Sequence, residues 1–454
     1  MAPLPLPPPR VPPTRPWEDL PEGIVESIAC RLLCDVDRAF MAATCGNWWR
    51  VVAGLKHPIP PLEPVSPPPQ LPLLLLPCKR SFYVAPGRSR TANFMCILGG
   101  YINGGDGMHC LRIRRDTGGA RFFGSFDGGW LFVAQEQTNR HRLLHFNTNT
   151  LLMLPDLVSS TGQTDPAPMV MLAATLSASP MDEACFGAAV VEVDMGLDRP
   201  DIAFWHMEEA SHPDSVATGL IAHRFHGSYL IEDLVFHHGV FCFLTSEENI
   251  LACTCSLVED PQGGVRLDVH QEFLEFQERE ECLGDFYQSC NYRIASRYLV
   301  TSRGGLLMIV RYVKHIGWQE ETQSAGFGVY EMANKGHVLV WSNLNLLNGR
   351  LLFLGRGCSR CYESSAFPDC VTEGIHFLDD RDYDKVEMMR LIQWGRLYNC
   401  EDNGICSWSE WAPPDQVEFR FQRLAPNQAF SQYSSPMWLL PDIEPHLMRL
   451  ESTN

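Results

Sequence analysis

Glycines standing directly before apolar runs are the feature that most limits how this chain folds. The runs are GWLFVA from Gly129, GAAVVEV from Gly187, GVFCFL from Gly239, GLLMIV from Gly305 and GRLLFL from Gly349. By subtraction they lie 58, 52, 66 and 44 residues apart. A glycine releases the backbone at a tight turn, and a short apolar run behind it suits a strand packed on both faces. The intervals are near the roughly 40 to 50 residues of a four-stranded propeller blade, lengthened by insertions. RLLHFNTNTLLMLP at 142–155 reads as strand, Asn-rich turn, strand, and IHFLDD at 375–380 as a strand running into a turn. Helix-scale periodicity is nearly absent after residue 80. The period also admits a β-sandwich pair or a β-helix. As a propeller, the region has room for six or seven blades of about 50 residues each.

The rest of the chain is organised differently. At 454 residues it exceeds the range in which one core keeps growing, so several domains or a repeat architecture are expected. Residues 1–16 carry so much proline that an extended, disordered leader is expected there. Residues 17–56 contain one proline, Pro21, and form a separate domain. A second proline-rich stretch, 57–77, reads as a semi-rigid linker or strap, followed by the β region at 78–445 and a tail at 446–454.

Within 17–56, Pro21 suits the opening turn of a helix, and Glu18, Asp19 and Glu22 place negative charge at the positive end of its dipole. Ile24, Val25, Ile28 and Leu32 line one face of that helix. Asp35 is a candidate cap for a second helix carrying Val36, Ala39, Phe40 and Ala43. A third carries Cys45, Trp48, Trp49 and Val52. Three helices in 40 residues make a small core, so a partner or a neighbouring domain is needed to complete their burial. One reading of the pattern is a helical cap on the β domain; the other is a docking module.

LPEGIVESIACRL, DVDRAF and CGNWWR, in that order, resemble the F-box, whose general form is Leu-Pro, an apolar helix and a Cys-x-x-Trp ending. The resemblance implies binding to a Skp-type adaptor and, through it, to a cullin and RING ubiquitin ligase. Leu20, Pro21, Ile24, Val25, Ile28, Leu32 and Val36 would then contribute to the adaptor-binding surface, with Trp48 anchoring the third helix. Gly46 and Trp49 stand where the family usually has arginines. FGSFDGGWLFV, LLHFNTNTLLMLP, NGRLLFLGRGCSR, GIHFLDD and SPMWLLP resemble the KIB-type β-propeller of many plant F-box proteins, over residues 122–441; LPLLLLP also belongs to that layout. The expected fold is therefore mainly β, a small three-helix F-box followed by a propeller. The expected function is substrate recognition for an SCF-type ubiquitin ligase, with an unidentified target protein. A protein-interaction or inhibitory propeller outside any ligase is the alternative, and a propeller enzyme a third reading.

The residues that attract chemical attention support no catalytic constellation. GRGCSRC, 355–361, joins two arginines to a CxxC pair, Cys358 and Cys361, but a structural zinc site needs four ligands and no second CxxC occurs. A redox pair belongs at a helix start, and a phosphate cradle needs a following helix and a Lys-Ser/Thr ending. The segment reads as a turn. His237 and His238 precede a strand glycine and also read as a turn, as does NGGDG at 103–107. No HExxH or GxSxG is present. Trp205, Trp341, Trp394, Trp408, Trp411 and Trp438 fit an inter-blade core better than a recognition surface.

A net charge of -18 opposes nucleic-acid phosphates and anionic membranes, so neither is an expected partner. Seventeen scattered cysteines fit reduced, buried side chains. With no signal-peptide pattern and no apolar run long enough to span a bilayer, the expected location is intracellular, nucleus or cytoplasm. No cofactor and no metal are expected.

Overall fold

The computed structural model describes residues 17–32, 34–56, 70–76, 91–97, 108–112, 119–146, 148–160, 165–193, 201–210, 212, 215–221, 230–259, 263–277, 292–315, 322–367, 371–380, 386, 389, 398–407, 420–424, 430–431 and 433–440. The chain divides into two compact units, one including the segment through Gln70 and the other running from Leu71 to Asp442. The leader at 1–16, the linker at 57–69, NGGDG at 103–107 and the tail at 446–454 lie outside the described residues.

The first unit contains the three expected helices, α1 (Glu22–Ala29), α2 (Asp35–Ala42) and α3 (Gly46–Lys56). Pro21 holds the N-cap position of α1, with φ -56° and ψ 140°, and its carbonyl accepts the amides of Ile24 and Val25. Glu22 follows in the first turn, where the helix dipole favours its charge. Cys34 takes the N-cap position of α2 and Asp35 is its first helical residue, so Asp35 is not the cap that the sequence suggested. Val25, Ala29, Met41, Ala42 and Val52 form a core, with Leu20, Ile28, Leu32, Trp48, Val51 and Leu55 packed around it.

The second unit is built from sheets. Among the described residues five open sheets have four or five strands each: residues 73–112 joined by Met437–Leu439, residues 121–153, residues 231–274, residues 276–343 and residues 350–423; Tyr398–Asn399 and Phe430–Ser431 make a further two-stranded pair. Between the second and third, residues 157–220 close into a five-stranded ring, because Leu157–Ser160 pairs in parallel with Val216–Leu220. The inner strands follow one another around the unit. Met437–Leu439 packs on Arg121–Phe126, which packs on Ala167–Leu176, and then come Ile231–His237, Tyr292–Ser302 and Arg360–Glu363. This is a propeller-like arrangement. Among the described residues five blades are open sheets, where six or seven blades were expected, and residues 157–220, a stretch of blade length, close on themselves.

The ends of the unit share a sheet. Leu73, Leu74 and Leu75 stand opposite Leu439, Trp438 and Met437 in an antiparallel pair. The leucine string Leu73–Leu76 is wholly buried, so it is a strand of the propeller and not part of the strap. The unit accordingly begins at Leu71, ahead of the expected boundary at 78.

The repeated glycines have two physical explanations. Gly129, Gly239 and Gly349 have positive φ, and Gly304 does so immediately before Gly305. In His238–Gly239 and Arg303–Gly304 both residues have positive φ, the geometry of tight two-residue hairpin turns. Gly187 is different: a Cβ there would lie 2.1 Å from the Trp205 indole, so close packing excludes a side chain.

Candidate functional site

The first candidate surface is on the helical unit. Pro21 and Ile24 are exposed, Leu20, Ile28, Leu32 and Trp48 are half-buried, and Val25 and Val36 are buried. The last two are inaccessible in this structure, and Val25 packs the core of the unit. The exposed apolar set is instead Ile24 at 50%, Trp49 at 43% and Trp17 at 74%. Trp48 Nε1 donates to the Trp17 carbonyl at 3.1 Å, and Asn47 Nδ2 to those of Glu18 and Leu20 at 3.2 and 3.3 Å. These bonds tie the start of α3 to the segment before α1. A Cβ on Gly46 would meet nothing within 4 Å, so the missing side chain leaves no clash and no filled gap. Trp17 was not singled out in the sequence; an exposed tryptophan just ahead of Leu-Pro was the available signal.

The second candidate is GRGCSRC itself, which lies in the interior. Arg356, Cys358 and Ser359 are buried. Cys358 N donates to Gly355 O at 2.9 Å, closing the expected turn. Gly357 has φ +67°, and a Cβ there would come within 2.8 Å of the Ala174 carbonyl oxygen, so the position requires glycine twice over. Burial pushes the Cys358 thiol up to about 12 and raises Cys361 as well, so both favour the neutral thiol over the thiolate. Among the described residues no group of His, Cys, Asp and Glu is arranged to hold a metal.

The turn docks onto a fully buried carboxylate, Asp233. Its Oδ1 accepts the amides of Leu234 at 2.9 Å and Gly357 at 2.8 Å, and its Oδ2 accepts Leu299 N at 2.9 Å. Three segments of the unit therefore meet on one side chain. Arg356 donates Nη1 to the Glu232 carbonyl and lies over the Tyr298 ring at 5.8 Å. Tyr298 donates its hydroxyl to Asp380 Oδ1 at 2.9 Å. Asp379 Oδ2 accepts the amides of Glu401 and Asp402 at 3.1 and 3.0 Å. The two landmarks GRGC and FLDD thus form one buried polar cluster between sheets.

Burial pushes the Asp233 carboxyl up to about 7, against the pull of the amides of Gly357, Leu299 and Leu234 and of the Arg356 charge. An unfolded aspartate titrates near 3.9. Between these values the folded chain holds the proton more tightly, so the stabilisation it contributes is present at low pH and is lost as pH rises towards 7. The unfolding free energy is expected to fall by about 2 to 3 kcal/mol between pH 5 and pH 7.5 on account of this group. Urea unfolding across that range checks it: Asp233→Asn should flatten the slope, and an unchanged slope in the variant would assign the titration elsewhere.

Trp205, Trp341 and Trp438 are all buried, in keeping with the inter-blade reading, while Trp394, Trp408 and Trp411 lie outside the described residues. His238 has φ +48° and its Nε2 is 3.0 Å from Gly304 O, so the histidine pair does belong to a turn. No helix among the described residues is long and apolar enough to cross a membrane.

Residues 102–408, more than half of the chain, match the family model described as KIB1-4 beta-propeller. No curated protein matches the chain.

Proposed function

The chain belongs to the KIB1-4 beta-propeller family, and from that premise we propose that it is the substrate-recognition subunit of an SCF-type ubiquitin ligase. The carrying observation is the exposed apolar surface of the helical unit. A three-helix unit of about 40 residues leaves Pro21, Ile24 and Trp49 facing solvent, the exposure expected of a module whose burial is completed by a partner. The partner in this reading is a Skp-type adaptor leading to a cullin and RING subunit, and the propeller holds a target protein. The chain acts without catalytic residues of its own. Holding a target's lysine close to a charged ubiquitin-conjugating enzyme raises the effective concentration of the reacting groups, and a rigid propeller sets which lysine is within reach. Such an assembly operates inside the cell, in nucleus or cytoplasm.

A reading without the ligase has one observation in its favour: Trp49 puts an exposed indole where the F-box family usually has an arginine. Co-purification with a Skp-type adaptor separates the two. Ile24→Asp, which alters an exposed position, is expected to weaken adaptor capture about thirtyfold while circular dichroism stays unchanged, as for an interface hot spot worth about 2 kcal/mol. Leu20→Ala combined with Pro21→Ala should do the same. Undiminished capture by both variants would overturn the adaptor reading and leave the interaction protein standing.

A further inference from the structure

A pocket opens in the propeller unit where strand Arg121–Phe126, the turn at 355–358, the segment at 378–380 and the approach to the closing strand meet. It offers about 50 Å³, room for roughly two waters or one small ionic head group and too little for a nucleotide. Two guanidinium groups line it, Arg121 and Arg356, against a single carboxylate, Asp380. Asp380 is already matched, by Arg311 at 3.4 Å and by Arg356 at 4.0 Å.

Arg121 has no such match. It is 3% exposed, and its partners are neutral: Nε donates to Gln137 O and Nη2 to Met171 O, each at 2.7 Å, and the guanidinium carbon sits 5.1 Å from the centre of the Phe123 ring. Among the described residues no carboxylate pairs with it. Burial lowers it only to about 10, so it carries its charge at neutral pH. Burying a charge without a counter-ion is costly, and such groups are ordinarily paired. The lining therefore sets two guanidinium groups against one carboxyl group, whose hold on its proton burial raises. Asp380, which also lines the pocket, supplies a second observation: its Oδ2 accepts no hydrogen bond, the Arg356 Nε contact at 4.0 Å lying beyond hydrogen-bond reach.

From this juxtaposition of an unpaired guanidinium and an unfilled acceptor, we propose that the pocket receives one carboxylate carried beside an O–H or N–H donor. The carboxylate neutralises Arg121, and the adjacent donor satisfies Asp380 Oδ2. A free hydroxy acid and the C-terminal residue of a peptide, with its backbone N–H, both have this chemistry. The site is independent of adaptor docking and stands or falls without it.

The test titrates the full-length protein with sodium glycolate, sodium acetate and sodium chloride at equal ionic strength, read by calorimetry and thermal unfolding. Glycolate is expected to bind saturably and at least severalfold more tightly than acetate, with chloride giving no saturation. Arg121→Gln should weaken both carboxylates at least tenfold. Arg121→Lys, which keeps the charge and loses the fork, gives an intermediate loss and serves where the glutamine variant does not fold. Asp380→Asn should erase the preference for glycolate over acetate. A short peptide with a free C-terminus, compared with its C-terminal amide, identifies the source: binding of the free form alone assigns a peptide end, and binding of glycolate without either peptide assigns a free acid. Absence of saturation with every carboxylate, or binding unaffected by substitution of Arg121, overturns the proposal.

Discussion

Removal of residues 437–454 is expected to abolish cooperative folding of the propeller unit. Met437–Leu439 is the strand against which Leu73–Leu75 pairs, and its three side chains are buried. Trp438 is fully buried, donates Nε1 to Leu354 O at 2.8 Å, and meets Phe353 edge-on with ring centres 5.1 Å apart. Nearby, Leu440 O accepts Gly129 N at 2.7 Å, so this stretch bonds to the blade on its other side as well. Its loss would leave Leu73–Leu76 as an uncovered apolar strand edge, a template for association between chains. Within the full chain, Trp438→Ala isolates the main contact and should cost about 3 to 5 kcal/mol. That is a large share of the roughly 5 to 15 kcal/mol that holds a domain folded. Trp438→Phe keeps a ring against Phe353 and gives up the hydrogen bond to Leu354, so its cost should be smaller. Urea unfolding measures both substitutions, and size-exclusion chromatography detects association of the truncated chain. A truncated protein that unfolds cooperatively with unaltered midpoint would refute ring closure by this strand.

The blades were legible because their signal is local. A turn residue with positive φ followed by an apolar run is written in consecutive positions, as in His238–Gly239 before VFCFLT and Arg303–Gly304 before Gly305 and LLMIV. The helical unit was legible for the same reason, with one displacement at the start of α2, where Cys34 precedes the helix and Asp35 enters it. What composition concealed was the pairing of distant segments. LPLLLLP looks like linker because of its prolines; its pairing with Thr91–Cys96 on one edge and with a strand some 360 residues later on the other makes Leu73–Leu76 a strand. The closed ring at 157–220 depends in the same way on a parallel pairing between Leu157–Ser160 and Val216–Leu220 that no local pattern announces.

The polar interior was partly legible. GRGCSRC drew attention for its thiols and arginines, and its glycines indeed make a turn, but the chemistry that matters there is the acceptance of Gly357 N by Asp233, 124 residues away. A signal was present in each strand concerned: Asp233 interrupts IEDLVF, and Arg311 interrupts GLLMIVRYV. A charged residue inside a run otherwise packed on both faces needs a partner, and hydrophobic patterning does not identify which.

Arg311 gives the second large expected effect. It is fully buried on strand Gly305–His315. Nε donates to Ser324 Oγ, Nη1 to Leu378 O and Nη2 to Asp402 Oδ2, each at 2.7 Å, and the guanidinium lies over the Phe377 ring at 5.0 Å. One side chain thereby joins a strand of one blade to the 378–380 and 400–403 segments of the next. Burial alone would weaken its hold on the proton. The Tyr298, Asp402 and Asp380 groups more than reverse this, keeping it more firmly charged than an exposed arginine. Arg311→Met should therefore cost about 3 to 5 kcal/mol, since it strands Asp402 without its counter-charge and leaves Asp380 with Arg356 alone. Arg311→Lys preserves charge but not the planar fork, and should fall between the variant and the parent. Adding Asp402→Asn to Arg311→Met removes one stranded charge, so the double variant should be more stable than the sum of the single losses, with a coupling of about 1 to 3 kcal/mol. Strictly additive losses, or a loss below about 1 kcal/mol for Arg311→Met, would mean that the blades are joined by apolar packing alone; a coupling of the expected sign identifies this arginine as the polar link between them.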